Sequence, residues 1–447
     1  MHTPSTGSTR LWLLVVSGVF LLGIVLYPGC SANKGGGMTV TVGPANADVI
    51  GTDNIAIQKA VDRVAAAGGG TVLIKAGTYT LSNSVRLSSH VTLRGEGSDK
   101  TILKKAAGVQ SKLAIDADYG EYKATVEDAS GFRPGMGVSI VDKQQRSGWT
   151  PSVRTITRID GNTLYFSNFL QMDYHVALDG EVFNTFPLVA GFEVKDVKVE
   201  DLTADGSRVG SGILDGCQTG AVYFFHSQHM TVRNVVARNY PGDGISLQFV
   251  EDPVVEHCDS YNNAYLGIHL GTGASRGIVE DNKAHNNGQD GLYLCWRVQH
   301  ARYANNRTWD NGRDGISLGH KDSDNLFVNN TSTGNGRAGI YFREQSRSNA
   351  PDRCTFERNT IADNGRNGEN PANILINGQV HNVTFTDNTI GSGNAKGKTP
   401  QLVGIYIAPE TDFITLNKNT FTGPFKQNLV NESKGTHNQI AVEVAKR

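Results

Sequence analysis

The chain has almost no excess of charge of either sign. Its 447 residues include 42 Lys and Arg against 43 Asp and Glu, which gives a formal net charge of -1. A protein that binds nucleic acid usually carries a basic surface, so this balance argues against that class. Hydrophobic residues make up 38% of the chain, which is enough to build a core and argues against intrinsic disorder.

Cysteine is scarce, and its spacing excludes the common cysteine motifs. No two of the five cysteines have C-x-x-C spacing, so a zinc or redox motif is not expected. In an exported protein the last four could pair, but the sequence does not say which would do so. The five are Cys30, Cys217, Cys258, Cys295 and Cys354.

Helix-length patterns are rare in this chain, whereas glycine and asparagine are abundant. There are 52 Gly and 36 Asn, and 27 of the Asn follow residue 250. Both residues tolerate left-handed backbone bends. We therefore expect a chain that turns often and is not a helical bundle.

The N-terminal segment has the pattern of an export signal. Arg10 precedes an apolar run over residues 11–26, shorter than the roughly 20 residues of a membrane-spanning helix. The segment Leu26–Cys30 resembles a bacterial lipoprotein cleavage site, which implies lipid attachment at Cys30. We expect residues 1–30 to be a signal or lipoprotein peptide and residues 31–40 a tether. The protein is then exported, and is either anchored to a membrane by its lipid or secreted.

Residues 41–119 are predicted to form an N-terminal cap and the first coils of a repeat structure. Residues 53–70 predict a short amphipathic helix that Asp53 caps and three glycines end. Residues 120–190 alternate like antiparallel strands around turns and predict a small β insertion. Its aromatic residues are expected to form its core or to line a cleft: Trp149, Tyr165, Phe166 and Phe169.

From about residue 192 the chain repeats. A constant period of about 24 residues separates Asn234, Cys258, Asn282, Asn306 and Asn330, and Asn359, Asn388 and Asn419 follow after longer gaps. The unit holds two or three short strands, so it predicts a β-solenoid whose coils stack at about 4.8 Å. Each Asn of this column is expected to adopt the left-handed region and to bond the Asn above and below. Residues 191–447 are thus predicted to be parallel β-helix coils and a C-terminal cap.

The N-terminal motifs carry a family resemblance. After the helix come Gly68-Gly69-Gly70-Thr71-Val72, Ala76-Gly77-Thr78-Tyr79 and Arg94-Gly95-Glu96-Gly97. With the later coils, they resemble the pectate-lyase-like right-handed parallel β-helix superfamily over about residues 40–430. The resemblance implies an all-β, right-handed parallel β-helix with a short N-terminal cap helix and a small β insertion.

The superfamily includes polysaccharide lyases, polygalacturonase-type hydrolases, alginate epimerases and phage tailspikes, so fold alone does not fix the reaction. The D-P-H signature of alginate epimerases is absent, and Tyr240-Pro241-Gly242-Asp243 stands in a comparable region. The polygalacturonase set N-T-D, D-D, G-H-G and R-I-K is also absent, and Gly319-His320-Lys321 with Arg343 matches it only in part.

The repeated G-I-x-L-x phrase predicts which side chains share a face. Ile and Leu should point inward and the x positions outward, with equivalent residues of neighbouring coils about 5 Å apart. The first outward column is Ser246, His269, Tyr293, Ser317 and Tyr341. The second is Gln248, Gly271, Cys295, Gly319 and Arg343. The third, if the strand continues, is Val250, Gly273, Arg297, Lys321 and Gln345, and between these two lie Phe249, Thr272, Trp296, His320 and Glu344.

These columns predict a cationic patch of Arg297, Lys321 and Arg343 beside aromatic and histidine side chains. Such a face suits a uronate-containing polysaccharide, because cations would neutralise the carboxylate and acidify the proton at C5. His269, Tyr293, His320 or Lys321 would move that proton, in β-elimination or in epimerisation. Arg297 and three further side chains would bind substrate: Trp296, Tyr341 and Gln248.

The carboxylates offer a rival chemistry. Asp290 and Asp314 are predicted about 5 Å apart and Asp243 and Asp290 about 10 Å apart, near the separations of retaining and inverting glycosidases. Asp before Gly is also a common turn signal. The same rungs with Glu344 could bind Ca²⁺, although no spacing requires it. Asp322 and Asp324 are expected to be solvated turn residues.

We expect a polysaccharide lyase that acts on an acidic glycan at the cell surface. The alternatives are a polygalacturonase-like glycoside hydrolase, a C5-epimerase or a non-catalytic glycan-binding β-helix. The expected partners are an acidic polysaccharide or oligosaccharide and, through the lipid, a membrane.

Overall fold

A computed structural model describes residues 37–368, 372–392 and 403–444. The predicted signal peptide, Cys30 and most of the predicted tether lie outside these residues. Among the described residues no helix is long and apolar enough to cross a membrane.

Short parallel strands stack into three ladders that run along a β-helix. Ladders A and B, with Val49–Ile50, belong to one sheet of 24 strands, and ladder C has 11 strands in the described residues. Ladder A is Met38–Gly43, Gly70–Ile74, Val91–Gly95, Lys198–Glu200, Thr231–Arg233, Val254–Glu256, Ile278–Glu280, Arg302–Ala304, Leu326–Val328, Thr355–Glu357, His381–Thr386, Asp412–Thr422 and Gln439–Val444. Ladder B is Gly77–Leu81, Thr101–Lys105, Thr203–Asp205, Val236–Arg238, Asp259–Tyr261, Lys283–His285, Arg307–Trp309, Thr331–Thr333, Thr360–Ala362 and Thr389–Gly391, and the end of Asp412–Thr422 pairs with its last strand. Ladder C is Val85–Leu87, Val189–Phe192, Val222–Phe225, Ile245–Gln248, Ile268–Leu270, Leu292–Leu294, Asp314–Leu318, Ala338–Phe342, Ala372–Ile376, Val403–Ile407 and Gln427–Asn431.

The inward side chains of all three ladders form one continuous core. It includes a stack of four parallel rings, Tyr303, Phe327, Phe356 and Phe385, whose centroids are 4.7, 4.4 and 4.6 Å apart. The predicted right-handed parallel β-helix is therefore confirmed. Each coil buries apolar side chains that it could not bury alone, which is why the coils depend on their neighbours.

Helix α1, Asn54–Ala66, closes the N-terminal end of the core. The Asp53 side chain accepts a hydrogen bond from the Ala56 backbone N–H at 2.8 Å, as an N-cap residue does. As expected for an amphipathic helix, α1 buries its apolar face fully: Ile57, Ala60, Val61 and Val64. The first strand already begins at Met38, inside the segment predicted as a tether.

The buried asparagine column is present, with two corrections. From Asn282 to Asn419 each side-chain amide donates to the next Asn along the helix axis, at 2.9–3.0 Å. The left-handed residue of each bend is the one before the column, as at Asn305 with φ 55°. Asn234 is instead left-handed and exposed. The coil between the paired residues Val232 and Val255 is shorter than the period of the column, so Asn234 falls before the column position of its bend.

A second amide column, which the repeat did not predict, runs parallel to the first. Asn263, Asn287, Asn311, Asn335 and Asn364 are linked at 2.8–3.0 Å. Both columns satisfy backbone groups that the bends would otherwise bury without partners.

The β insertion is an antiparallel sheet between the coil ending at Lys105 and the strand beginning at Val189. Its strands run from Gln110 to Phe183, so it starts before the predicted position 120. They are Gln110–Lys112, Lys123–Thr125, Gly137–Val141, Ser152–Asp160, Thr163–Phe166 and Glu181–Phe183, with a 3-10 turn at Val176–Leu178. Of the aromatic residues predicted for its core, Phe166 is buried, whereas Trp149 packs against Phe225 and Phe249 of the β-helix.

Two further expectations concern the C-terminal tail and the thiols. A C-terminal cap was predicted to close the coils, but Gln427–Asn431 and Gln439–Val444 instead add parallel strands to ladders C and A. The four cysteines among the described residues are free: Cys217, Cys258, Cys295 and Cys354.

Candidate functional site

The outward residues of ladder C stack in the predicted order. The backbone register pairs Ser246 with His269, His269 with Tyr293, Tyr293 with Ser317 and Ser317 with Tyr341. The first outward column is therefore confirmed. The third column is not a strand column, because Val250 belongs to the core and the chain bends at Arg297 and Lys321 with φ of 64° and 59°.

A covering segment, residues 206–220, lies over the first part of this face. The carbonyl of Gly216 accepts hydrogen bonds from Ser246 Oγ at 2.5 Å and from Gln248 Nε2 at 3.1 Å. A Cβ at Gly216 would lie 1.7 Å from Asp243 Oδ2, so glycine permits this close approach. Gln248, predicted to bind substrate, is fully buried under the segment and does not present its amide to solvent.

His269 and Asp243 form a buried pair beside the covering segment. His269 Nδ1 lies 2.8 Å from Asp243 Oδ2, and Asp243 Oδ1 accepts a hydrogen bond from the Leu266 backbone at 3.1 Å. Burial lowers the pKa of His269, but its contacts with Asp243 and Cys295 outweigh burial and raise that pKa to about 10. Burial raises the pKa of Asp243, although the His269 contact opposes it. His269 therefore favours its protonated form near neutral pH beside the Asp243 carboxyl group.

Tyr293 stands one coil further, edge-on to His269 with ring centroids 5.2 Å apart. The Arg343 guanidinium carbon lies 4.3 Å from the centroid of the Tyr293 ring. Arg343 also donates to the Leu294 carbonyl at 2.6 Å and pairs with buried Asp322 at 3.2 Å. Burial raises the pKa of Tyr293 while Arg343 opposes the rise, so the phenol remains protonated.

Asp322 corrects one expectation. It was predicted to be a solvated turn residue, yet it is fully buried and accepts hydrogen bonds from Val298 and Gly319 backbone groups at 3.0 and 2.7 Å. Burial raises the pKa of Asp322 to about 6, against the effect of Arg343. Its role in the structure is to hold the Arg343 guanidinium over Tyr293.

Asp243, His269 and Tyr293 line a pocket of about 290 Å³, which we call the ladder C pocket. It is lined by Ser147, Asp215, Gly216, Cys217, Asp243, Tyr265, Leu266, His269, Gln289, Tyr293, Cys295 and Arg313. Sequence reasoning identified His269 and Tyr293 but missed Asp215, Tyr265 and Arg313. The strand register shows why Asp215 was missed, because it lies between the paired residues Ala190 and Tyr223 in a coil longer than the repeat.

Asp215 is the main carboxylic acid that was missed. Its oxygens accept backbone hydrogen bonds from Gly148 at 2.7 Å and Cys217 at 3.1 Å. Burial and, to a smaller extent, the charge of Asp243 raise the pKa of Asp215. It is thus a carboxyl group at the wall of the pocket whose pKa lies above its ordinary value.

The predicted glycosidase pair of Asp290 and Asp314 does not face the pocket. Both carboxylates are fully buried, and Asp290 Oδ1 accepts the Asp314 backbone N–H at 2.9 Å. Arg337 binds both oxygens of Asp314 and also lies 3.8 Å from the centroid of the Tyr341 ring. Burial and the charge of Asp290 raise the pKa of Asp314 to about 7. A sugar cannot reach this pair in the structure, and Tyr341 contacts Arg337 and does not line the pocket.

The remaining predicted residues form an exposed ridge at the ends of the ladder C strands. Trp296, which is 51% exposed, stacks on His320 with centroids 4.4 Å apart. Partial burial and the cations Lys321 and Arg297 lower the pKa of His320. Both cations are exposed, as is Glu344, whereas Arg343 is turned toward Tyr293. The predicted three-cation patch is therefore divided, with Arg297 and Lys321 on the ridge and Arg343 against the Tyr293 ring.

Among the described residues, no group of three or more His, Cys, Asp or Glu side chains could hold a metal ion. The suggested Ca²⁺ rungs are Asp243, Asp290 and Asp314, whose carboxylates are buried, and Glu344, which is exposed.

Comparison with known families gives two matches. Residues 40–269 match the family described as rhamnogalacturonase A/epimerase, pectate lyase-like. Residues 194–356 match the right-handed β-helix region. The first match spans half of the chain and ends at His269.

Individual relatives are more distant. The chain is 26% identical over 231 residues to mannuronan C5-epimerase AlgE1 of Azotobacter vinelandii, covering 49% of this chain but 13% of that protein. It is 26% identical over 246 residues to AlgE5 of the same organism, covering 53% of this chain and 20% of that protein. The chain thus spans a fifth or less of these relatives' length.

Two solved structures share the fold. The A-module of Azotobacter vinelandii mannuronan C5-epimerase AlgE6 has a TM-score of 0.56 at 17% identity, covering 88% of this chain and 95% of the module. A polygalacturonase from Erwinia carotovora ssp. carotovora has a TM-score of 0.52 at 14% identity, covering 94% of this chain and 100% of the enzyme.

Proposed function

The chain belongs to the rhamnogalacturonase A/epimerase, pectate-lyase-like family, and on that premise we propose that it is an enzyme of acidic polysaccharides. Its reaction is removal of the C5 proton of a uronosyl residue in the ladder C pocket. The observation that carries this proposal is the buried Asp243–His269 pair beside the Tyr293 phenol.

The pair provides a proton acceptor with a fixed orientation. Asp243 holds His269 at Nδ1, so Nε2, which lies 3.4 Å from Gln248 Nε2, is the nitrogen that can take a proton. Arg313 at the pocket wall would neutralise the uronate carboxylate and so acidify the C5 proton. His269 must lose its own proton before it can accept another, so the reaction should be faster at alkaline pH.

Tyr293 supplies the second proton-transfer group. Its phenol stays protonated, so it can donate a proton to the glycosidic oxygen at C4 as the C4–O bond breaks and a C4=C5 double bond forms. The products of this β-elimination are a new reducing end and an unsaturated uronate. If Tyr293 instead returns a proton to C5 from the opposite side, the bond to C4 survives and the product is the C5 epimer.

A second candidate is glycoside hydrolysis. It is favoured by Asp215, a carboxyl group with a raised pKa that shares the pocket with Asp243. Asp215 would act as general acid and Asp243 as the second carboxylate. This candidate competes with the first because Asp243 cannot serve both as partner of His269 and as base toward water.

One experiment separates the three reactions. The protein is incubated in D₂O with polymannuronate, polyguluronate and polygalacturonate, and the products are analysed for unsaturated uronate, reducing ends and deuterium at C5. Unsaturated ends rising with reducing ends indicate elimination, and C5 deuterium without chain cleavage indicates epimerisation. Reducing ends without either indicate hydrolysis and move the roles to Asp215 and Asp243.

The matched variants are His269→Asn and His229→Asn. His229 also pairs with an aspartate, Asp196, at 3.1 Å, but it is exposed and lies outside the pocket. We expect His269→Asn to lower the rate of C5 proton loss at least about 100-fold and His229→Asn to leave it unchanged. Equal rates in the two variants would contradict the assignment of His269.

The exposed ridge supplies a binding surface beside this chemistry. Trp296 follows Cys295 of the pocket wall, so a polymer that enters the pocket would lie across the Trp296–His320 stack. Arg297 and Lys321 would then bind the carboxylates of neighbouring sugars. Trp296→Ala should raise KM for long substrates more than it lowers kcat, and an unchanged KM would contradict this placement.

We also propose that the protein is exported and lipid-anchored at Cys30, from the sequence pattern of residues 1–30 alone. Cys30→Ala should move the protein from the membrane fraction to the soluble fraction in cells that lipidate it. An unchanged distribution would contradict the anchor.

A further inference from the structure

A second aromatic stack lies on the outer side of ladder B, a different ladder from the one that carries the pocket. The register places Tyr261, His285 and Trp309 at equivalent positions of three consecutive coils. Their ring centroids are 5.0 and 4.0 Å apart, and the ring planes differ by 11° and 8°. All three side chains are half-buried, so this stack borders solvent.

The stack stops at Trp309, although its axis continues into open space. The next positions along the column are Thr333 and Ala362, which are too small to cover an indole. The space they leave is a pocket of about 300 Å³, which we call the ladder B pocket. It is lined by Arg307, Trp309, Asp310, Thr333, Gly334 and Asp363. This volume is at the lower end of the range for small-ligand sites, and a single sugar ring would fit it.

The charged side chains of the ladder B pocket indicate which kind of sugar ring it would bind. The Arg307 guanidinium lies 5.3 Å from the Trp309 ring centroid, and in the described part of the chain it has no ion-pair partner. Asp310, in contrast, is paired with Arg366 at 3.0 Å. The pocket therefore offers an open aromatic face beside an uncommitted cation, a combination that suits a sugar ring bearing a carboxylate.

The internal stack of the same molecule shows how a purely structural stack differs. Tyr303, Phe327, Phe356 and Phe385 are each fully buried and continue from coil to coil without a gap. The outer stack instead ends at a polar pocket on the surface.

We infer that the ladder B pocket is a second binding site, in which a uronosyl residue of an acidic polysaccharide stacks on Trp309 and pairs with Arg307. The identity of the ligand rests on the proposed function, whereas the existence of the site rests on the stack and its pocket. One polymer bound at this site and at the ladder C pocket would gain affinity from the raised effective concentration of its second segment.

The test is hydroxyl-radical footprinting of the full-length His269→Asn protein with and without polymannuronate or polygalacturonate. Mass spectrometry reports oxidation of Trp309 separately from that of Trp296 on the ridge. We expect the acidic polymer to protect both indoles and a neutral glucan of similar length to protect neither. Protection of Trp296 alone would overturn the second site and leave the proposed function standing. Protection of Trp309 alone would support the second site and count against the ladder C pocket, and protection of neither would overturn both.

Affinity electrophoresis in gels that contain the acidic polymer provides the matched variants. Trp309→Ala should weaken retardation about tenfold. Tyr261→Ala removes the opposite end of the stack without touching the ladder B pocket, so it should leave retardation unchanged. Equal effects of the two changes would show that the stack is only structural. Arg307→Gln keeps the stack intact, which guards against misfolding, and should still remove the preference for acidic over neutral polymer. An unchanged preference would overturn the role of Arg307.

Discussion

The variant Asp243→Asn tests the role of His269, and its pH dependence should be more informative than its absolute rate. In the wild-type protein the charge of Asp243 helps to hold a proton on His269, whose pKa is raised to about 10. The amide keeps the shape of the carboxylate but removes that charge. Burial, the largest single influence on His269, lowers its pKa and would be opposed only by Cys295 in the variant.

The size of the effect follows from the fraction of neutral imidazole. With a pKa of about 10, about one His269 in a thousand is neutral at pH 7, so kcat/KM of the wild type should rise about tenfold per pH unit up to about pH 10. In Asp243→Asn this rising limb should move to lower pH. The variant also loses the orientation of the ring, which typically costs about 10²- to 10⁴-fold, so its absolute rate is a poor guide.

The assay is kcat/KM against pH from 5 to 11 on the uronate polymer that the protein turns over, for the wild type, Asp243→Asn and Asp215→Asn. We expect the limb near pH 10 in the wild type and in Asp215→Asn, and a limb at lower pH in Asp243→Asn. If the Asp243→Asn limb stays near pH 10, His269 is not the group that titrates. If Asp215→Asn alone abolishes an acidic-side dependence, the hydrolase candidate gains support.

Three further outcomes are expected. Asn306→Ala removes four side-chain hydrogen bonds, each worth about 1 kcal/mol, so urea unfolding should show a free energy of unfolding lower by about 4 kcal/mol. The control Asn305→Ala, at the left-handed position beside it, should lower it by about 1 kcal/mol, and equal losses would contradict the role of the asparagine column. A Cβ at Gly319 would lie 2.5 Å from Arg343 Nε, so Gly319→Ala should displace the guanidinium from Tyr293 and from buried Asp322 and lower both kcat and the urea midpoint; a normal kcat would show that the position of Arg343 does not affect proton transfer by Tyr293. The raised pKa of His269 stabilises the fold fully below pH 6.5, and this effect is lost as pH rises through about 10. The difference in free energy of unfolding between wild type and His269→Asn should therefore shrink by up to about 5 kcal/mol over that range, and a difference independent of pH would contradict the ion pair.

The period of the sequence predicted the stacked, bonded asparagines but not which residue of each bend adopts the left-handed conformation. The bends at 305–306 and 329–330 each contain two adjacent asparagines, and either could have formed the column. In the structure the first adopts φ of 55° and the second turns inward to bond the next coil. Both roles suit asparagine, because it tolerates the left-handed region and carries a donor and an acceptor. Only the direction of the strand that follows decides between them.

The columns of ladder C could be predicted because strand alternation fixes the face on which each side chain lies and the constant period fixes its neighbours in adjacent coils. The covering segment that lies over these columns could not be predicted. The wide chain separation of the paired residues Ala190 and Tyr223 indicates a long connection, but not the face over which it folds. That choice depends on Gly216, whose carbonyl meets Ser246 and Gln248 of a later coil. Contacts between residues so far apart in the chain have no local signature, so side chains predicted to face solvent became the buried wall of a pocket.

The three Asp-Gly phrases show why the candidate site could be only partly read from local sequence. Asp243, Asp290 and Asp314 each precede a glycine at the start of a ladder C strand, and all three carboxylates are buried. Their chemistry differs because the partner in the adjacent coil differs. Asp243 meets His269, Asp290 accepts the backbone N–H of Asp314, and Asp314 is held by Arg337. Reaction with a sugar requires an open path as well as a carboxylate, and only Asp243 of these three borders the ladder C pocket. In a solenoid, a repeated motif therefore specifies where a side chain lies, and the departures from the repeat around it specify what that side chain can do.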